Sequence, residues 1–365
     1  MKKRSGSSTN VSVDVTGCKH TEPLLPSRSN PSPRETKQRA ARFTSLDAFR
    51  GLTICLMIFV NYGGGGFRFL NHSVWDGVTI ADLVFPWFAW IMGFGIFLSA
   101  HSLTQRHLTR ARCSIMLRSA KLFALGFIYA LAVAFPIVSF LSCCFPPSLL
   151  DNACKHRVKF FTSHTLLGIL PLIVLNLSAT FLLHVPGCPA GYLGPGGTAD
   201  GGKYRNCTGG AHLYVDTFLF GRDHLFQTPT CQKQYRTGPY DPEGALNWLM
   251  VATTAYLGYV VAAAICCMAT KKRKLQVCLA SGSALLVLSV LFGGVFVSAR
   301  PWIPFNKNMW SISYVLLSSG VACIAFAMLF ALLDSSERHI EWDGWPFVSV
   351  GKNSVFIYVM DFTHG

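Results

Sequence analysis

Residues 45–88 read SLDAFRGLTICLMIFVNYGGGGFRFLNHSVWDGVTIADLVFPWF. Two apolar runs, about 45–62 and 78–100, flank a short polar loop. Each is close to the ~20 residues that an α-helix needs to cross a hydrocarbon core. The whole chain of 365 residues is 51% hydrophobic and only 13% charged, about half the charged share of a soluble domain. The fold class expected is an all-α polytopic membrane protein, a helical bundle of about eight spans with one large lumenal loop.

Outward from that stretch, further apolar runs cover about 119–142, 160–183, 245–268, 275–299 and 310–333, and a last one begins near Trp345. Residues 1–43 are polar and rich in Ser, Pro, Lys and Arg, the composition of a disordered cytosolic tail. Residues 44–365 form the transmembrane domain. The polar, Gly/Pro-rich segment 186–243 forms its lumenal loop and carries the sequon Asn206-Cys207-Thr208, an expected glycosylation site. The net charge of +15 gathers in the tail and short loops, where Lys and Arg orient spans and contact anionic lipid. No basic helix or aromatic-interleaved surface accompanies it, so nucleic acid is excluded as a partner. Cys188, Cys207 and Cys231 share the polar loop, where a disulfide is expected but its pairing is not determined. No CxxC pair or His cluster points to a metal.

Counting crossings produces a conflict. With a cytosolic N-terminus, strict alternation puts 186–243 in the cytosol and the basic run Lys271-Lys272-Arg273-Lys274 in the lumen. Both placements break the positive-inside tendency. One crossing too few lies between residues 119 and 185. Either a helix there is re-entrant or one is missing.

The same stretch carries the chemistry. Asp47, Arg50 and Asn61 fall on one helical face, with Arg50 and Asn61 about three turns or ~16 Å apart. Charged residues within a span usually line a polar path; the alternative is a local Asp47–Arg50 pair at the membrane surface. Gly63–Gly66 allow close backbone approach, or form a plain turn. His72 sits in the loop, and a neutral imidazole can act as a base or carry an acyl group. Asp82 lies one turn into the second run, placed to orient that imidazole. Pro86 cannot donate to the carbonyl of Asp82, so a bend is expected there.

The strings SLDAFRG, IFVNYGGG, NHSVWDGVTIADLVFPWF, IMGFGIFLS, VPGCPAGYLGPGGTADGGKYRNCTGGA, FGRDHLFQ, YDPEG, IPFNKNMWSISYV and GKNSVFIYV follow one another through residues 45–359. In these the chain resembles the heparan-α-glucosaminide N-acetyltransferase family of lysosomal membrane enzymes. The resemblance implies acetyl-CoA as cytosolic co-substrate, a heparan sulfate glucosamine terminus as lumenal acceptor, and a lysosomal membrane. It puts His72, Asn61 and Asp82 in the catalytic role. The matching motifs offer Asp47, Arg50 and Asn353 to the cofactor. Asn306, Lys307 and Trp310, on the lumenal side, could meet an anionic sugar or serve as interfacial anchors. A homodimer is among the assemblies considered. The chain departs from the family in lacking a lumenal domain and a span ahead of SLD, an Arg-bearing helix start near 160, and a His-Glu pair and further spans after GKNSVFIYV. The missing-helix reading of the crossing conflict is therefore preferred. An inactive truncated relative and a transporter without chemistry are the competing readings.

Overall fold

The computed structural model describes residues 43–104, 136–141, 157–294, 302–334, 342–354, 356–357 and 360. The expected disordered tail lies outside them apart from Phe43, and so does the run at 119–142 apart from a helical stretch at 136–141. Among the described residues the regular structure is helical. The main helices are α1 (Thr44–Asn61), α2 (Ile80–Thr104), α3 (Arg157–Leu182), α4 (Ala211–Phe220), α5 (Ala245–Cys266), α6 (Lys271–Gly293), α7 (Ile312–Leu333) and the short α8 (Phe347–Lys352).

Five of these, α1, α2, α5, α6 and α7, are long and apolar enough to cross a membrane, and α3 adds a shorter apolar stretch, Leu167–Leu182. Helix α5 is the most enclosed, with 78% of its apolar window inside the protein, whereas α6 has 17%. Leu279, Val287, Leu288, Leu291 and Phe292 of α6 stand exposed. An apolar surface of that extent needs hydrocarbon rather than water around it.

The core is aromatic. Phe94 of α2 packs on Trp90, on Phe326 of α7 and on Phe43 before α1, with ring centroids 5.4, 5.0 and 6.0 Å apart. The N-terminus of α1 has no capping side chain of its own. The Asp334 carboxylate, just after α7, takes that place: Ser45 and Thr44 donate their backbone N–H groups to it at 2.9 and 3.3 Å. This satisfies two of the amides that a helix start leaves without partners. Helix α8 lies against α1 at Gly51 and Gly351. A Cβ on Gly351 would sit 1.8 Å from the Asp47 carbonyl oxygen, so only glycine permits this approach.

The helices therefore share two ends. One holds the start of α1, the end of α7 and the start of α6, where Lys274 lies over the Phe43 ring. The other holds the loop after α1, the starts of α2, α5 and α7, and the segment between α3 and α5. Helix α3 runs toward this second end, because the Asn176 amide donates to the Leu246 carbonyl at the start of α5. Segment 183–244 is fixed there by long-range hydrogen bonds, two of which reach the loops before α2 and α7. Trp75 donates from Nε1 to the Leu193 carbonyl, and Tyr240 from its hydroxyl to the Asn308 carbonyl. The polar segment and the 271–274 basic run thus lie at opposite ends, as their compositions require. The crossing conflict arose from counting helices between 101 and 185; α2 ends and α3 begins at the same end.

Candidate active site

The site is built on the turn into α2. Thr79 and Asp82 are spaced as a capping box, in which the third helical residue reaches back to the residue before the helix. Asp82 Oδ2 accepts from the Thr79 backbone N–H and hydroxyl and from the Ser73 backbone N–H, each at 3.1 Å. Its other oxygen, Oδ1, lies 2.9 Å from His72 Nδ1. The Asp82 side chain is fully buried, while His72 keeps 37% of its side chain exposed. A carboxylate locked by three donors thus holds an imidazole that opens outward. That is the support an acid–base histidine requires.

A third group joins the pair. Lys307 Nζ lies 3.0 Å from His72 Nδ1 and 3.4 Å from Asp82 Oδ1. Burial pushes the Lys307 ammonium below its usual range, and the Asp82 carboxylate pulls it partly back. The lysine is delivered by the loop before α7, which pairs with the loop before α2. Gly77 donates its N–H to the Phe305 carbonyl at 2.8 Å, and Asn306 Nδ2 donates to Asp76 Oδ1 at 3.1 Å. Asp76 is pushed upward by burial, which the Asn306 bond offsets.

The residues expected from sequence divide into three groups. His72 and Asp82 are in contact. Asn61 ends α1 and is exposed, and the turn that follows carries Gly63–Gly66, all with positive φ of 56–90° and with Gly64 buried. Asp47, Arg50 and Asn353 lie toward the opposite end, on the packed helices α1 and α8. Arg50 Nη1 is 3.3 Å from Asp47 Oδ1, the local pairing weighed from sequence, and Asn353 donates to the Ser349 carbonyl. Of Asn306, Lys307 and Trp310, Lys307 reaches the histidine. Asn306 is fully buried and shapes its loop, accepting from the Met309 N–H and donating its own N–H to Ser311 Oγ. Trp310 is 2% exposed, edge-on to Phe85 and Tyr314.

The contacts of Ser73 and Thr79 with Asp82 were not anticipated. The Thr-x-x-Asp spacing ahead of an apolar run was the available signal. In segment 183–244 the disulfide joins Cys188 to Cys207, and Cys231 is a buried free thiol beside Thr237. Asn206 is exposed next to the disulfide.

No family model matches the chain. Two curated proteins do. The chain is 37% identical over 372 residues to heparan-alpha-glucosaminide N-acetyltransferase of Mus musculus, covering 92% of this chain and 56% of that protein. It is 37% identical over 350 residues to the protein of the same name in Homo sapiens, covering 87% of this chain and 52% of that protein. Over about nine-tenths of its own length the chain is thus similar to heparan-alpha-glucosaminide N-acetyltransferases. It spans about half the length of these curated relatives. The resemblance read from the motifs agrees with the match, and the His72–Asp82 pair lies inside the shared region.

Proposed function

We propose that the chain is a transmembrane N-acetyltransferase. Acetyl-CoA enters from the cytosolic end, where α1 and α8 carry Asp47, Arg50 and Asn353. A glucosamine terminus of heparan sulfate is acetylated at the lumenal end, beside His72. The observation that carries this reading is the His72–Asp82 contact on a fully buried, triply held carboxylate. Helix α1, of 18 residues, spans ~27 Å from the Asp47 end to the Asn61 end, close to the ~30 Å of a bilayer core.

In the step proposed, with the acceptor bound, Asp82 holds the His72 proton on Nδ1, so Nε2 offers its lone pair. Nε2 takes a proton from the sugar amine as the nitrogen attacks the thioester carbonyl. The C–N bond forms, the C–S bond breaks, and the imidazolium returns the proton to the leaving thiolate. Asn61 donates to the oxygen on which charge develops, a contact worth roughly 3 kcal/mol. Lys307 faces the acceptor; Asn306 and Trp310 hold its loop in position.

A lumenal placement of 186–243 is supported by the Cys188–Cys207 disulfide, since such bonds persist in oxidising compartments, and by the exposed Asn206 sequon. The lysosomal membrane is proposed from the family, and the intact bundle from about eight spans. Detergent-purified protein should move label from acetyl-CoA to glucosamine, and His72→Ala should abolish the transfer. A folded protein that transfers nothing would refute the reading.

A further inference from the structure

Lys307 and Asp82 make incompatible demands on one atom. His72 Nδ1 is 2.9 Å from Asp82 Oδ1 and 3.0 Å from Lys307 Nζ. A carboxylate only accepts and an ammonium only donates. A neutral imidazole has one N–H and one lone pair, so Nδ1 can satisfy one of the two neighbours at a time. When the ammonium donates to Nδ1, the ring proton sits on Nε2, and Nε2 has no lone pair for the sugar amine. When the ammonium is elsewhere, Nδ1–H donates to Asp82 and Nε2 is free. In the arrangement observed both neighbours lie on Nδ1, Asp82 Oδ1 at 2.9 Å and Lys307 Nζ at 3.0 Å, with Nζ 3.4 Å from Oδ1, so the two states compete for one atom.

We propose that Lys307 gates the tautomer of His72, and that an anionic group on the acceptor opens the gate by drawing the ammonium away. This rests on the acetyl-transfer reading above. Lys307 is a positioning residue here, acting through His72. Its side chain is 22% exposed, on a flexible four-carbon stem that can turn toward a ligand. A carboxylate or sulfate beside the glucosamine supplies a competing partner for the ammonium. The ring proton passes from Nε2 to Nδ1 through solvent, to which the His72 ring is open. Free glucosamine, which brings no anionic group, leaves the gate shut for most of the time and is acetylated slowly. The enzyme then favours the end of an anionic chain over a free amino sugar in kcat as well as in KM.

Two measurements test this. The first compares kcat for glucosamine and for a glucosaminyl-glucuronate disaccharide in purified wild type, Lys307→Met and Lys307→Arg. Wild type and Lys307→Arg should turn over the disaccharide at least tenfold faster. In Lys307→Met the glucosamine kcat should rise to within about threefold of the wild-type disaccharide value, while KM for the disaccharide increases. Equal loss with both acceptors, or a change confined to the disaccharide KM, overturns the gate. The second reads the imidazole nitrogens of His72 by ¹⁵N NMR, assigned by difference from His72→Gln. Unliganded wild type should carry the proton on Nε2. The disaccharide, or Lys307→Met alone, should move it to Nδ1. A proton fixed on Nδ1 in every sample overturns the gate. A shift of tautomer in a protein that transfers no acetyl group would uphold the gate and refute the acetyltransferase reading instead.

Discussion

The Tyr314 hydroxyl donates to the main-chain carbonyl of Asp82. That carbonyl is the acceptor that Pro86, four residues on, leaves without its helical donor. The proline lies inside a helix assigned without interruption from Ile80 to Thr104. The side chain from α7 thus repairs the backbone directly beneath the residue that orients His72. Tyr314 is fully buried, so its partner has no water to turn to. Tyr314→Phe should leave that carbonyl unpaired and cost about 1–3 kcal/mol. Thermal unfolding in detergent should register a lowered Tm, and an unchanged Tm would place the support elsewhere.

Asp334 links the end of α7 to the start of α1 through two backbone donors. Asp334→Ala should destabilise by about 0.5–2 kcal/mol, the range for losing a capping side chain. Proteolysis at the start of α1 should accelerate, and Asp334→Asn, which keeps an accepting oxygen, should recover most of the loss. If Asn and Ala behave alike, the capping account of this contact fails.

Two buried groups of α4 give opposite pH dependences. Asp216 is pushed up to about 7 by burial, with Asp241 adding to the shift, against the donation it receives from the Ala245 N–H. A raised carboxyl binds its proton more tightly in the folded state, so its contribution is present at low pH and is lost as pH rises toward about 7. His212 is pushed down to about 4 by complete burial. It must stay neutral, so stability is lost as pH falls from its unfolded value of ~6.5 toward about 4. Chemical denaturation between pH 4 and 7 should show stability of Asp216→Asn rising with pH. That of His212→Gln should fall over the same window. Identical slopes in both variants and wild type would show that neither group titrates on unfolding.

Carboxylate removal at the site should separate orientation from binding. Asp82→Asn keeps the size of the side chain but offers an amide where a carboxylate met Nδ1. The expected result is a fall in kcat of roughly 10²–10⁴, the usual range for losing a positioned acid–base arrangement, with little change in KM for acetyl-CoA. A kcat within a few-fold of wild type would detach Asp82 from the chemistry.

The long apolar runs were legible because span length and low charge are set by the bilayer, and α1, α2, α5, α6 and α7 appear where hydropathy placed them. His72 and Asp82 were legible together because a loop imidazole and a carboxylate one turn into the next helix need only local geometry to meet. Lys307 was not legible as their partner. Its 235-residue separation from His72 is closed by loop pairing at Gly77–Phe305 and Asp76–Asn306, which no local pattern announces. Trp310 misled for the opposite reason: tryptophan is common at membrane interfaces, but here its ring fills the space between Phe85 and Tyr314. The 271–274 run shares an end of the bundle with the start of α1, and segment 186–243 lies at the other; the alternation count put them the other way round because α2 ends and α3 begins at one end.

The most direct test is sided. Protein would be reconstituted into sealed vesicles and sorted by orientation, with glucosamine enclosed on the His72 side and labelled acetyl-CoA supplied only to the Asp334 side. The account predicts labelled N-acetylglucosamine inside, none with His72→Ala, and none when donor and acceptor are exchanged between compartments. Transfer that persists in His72→Ala, or that requires both reactants on one side, would contradict it.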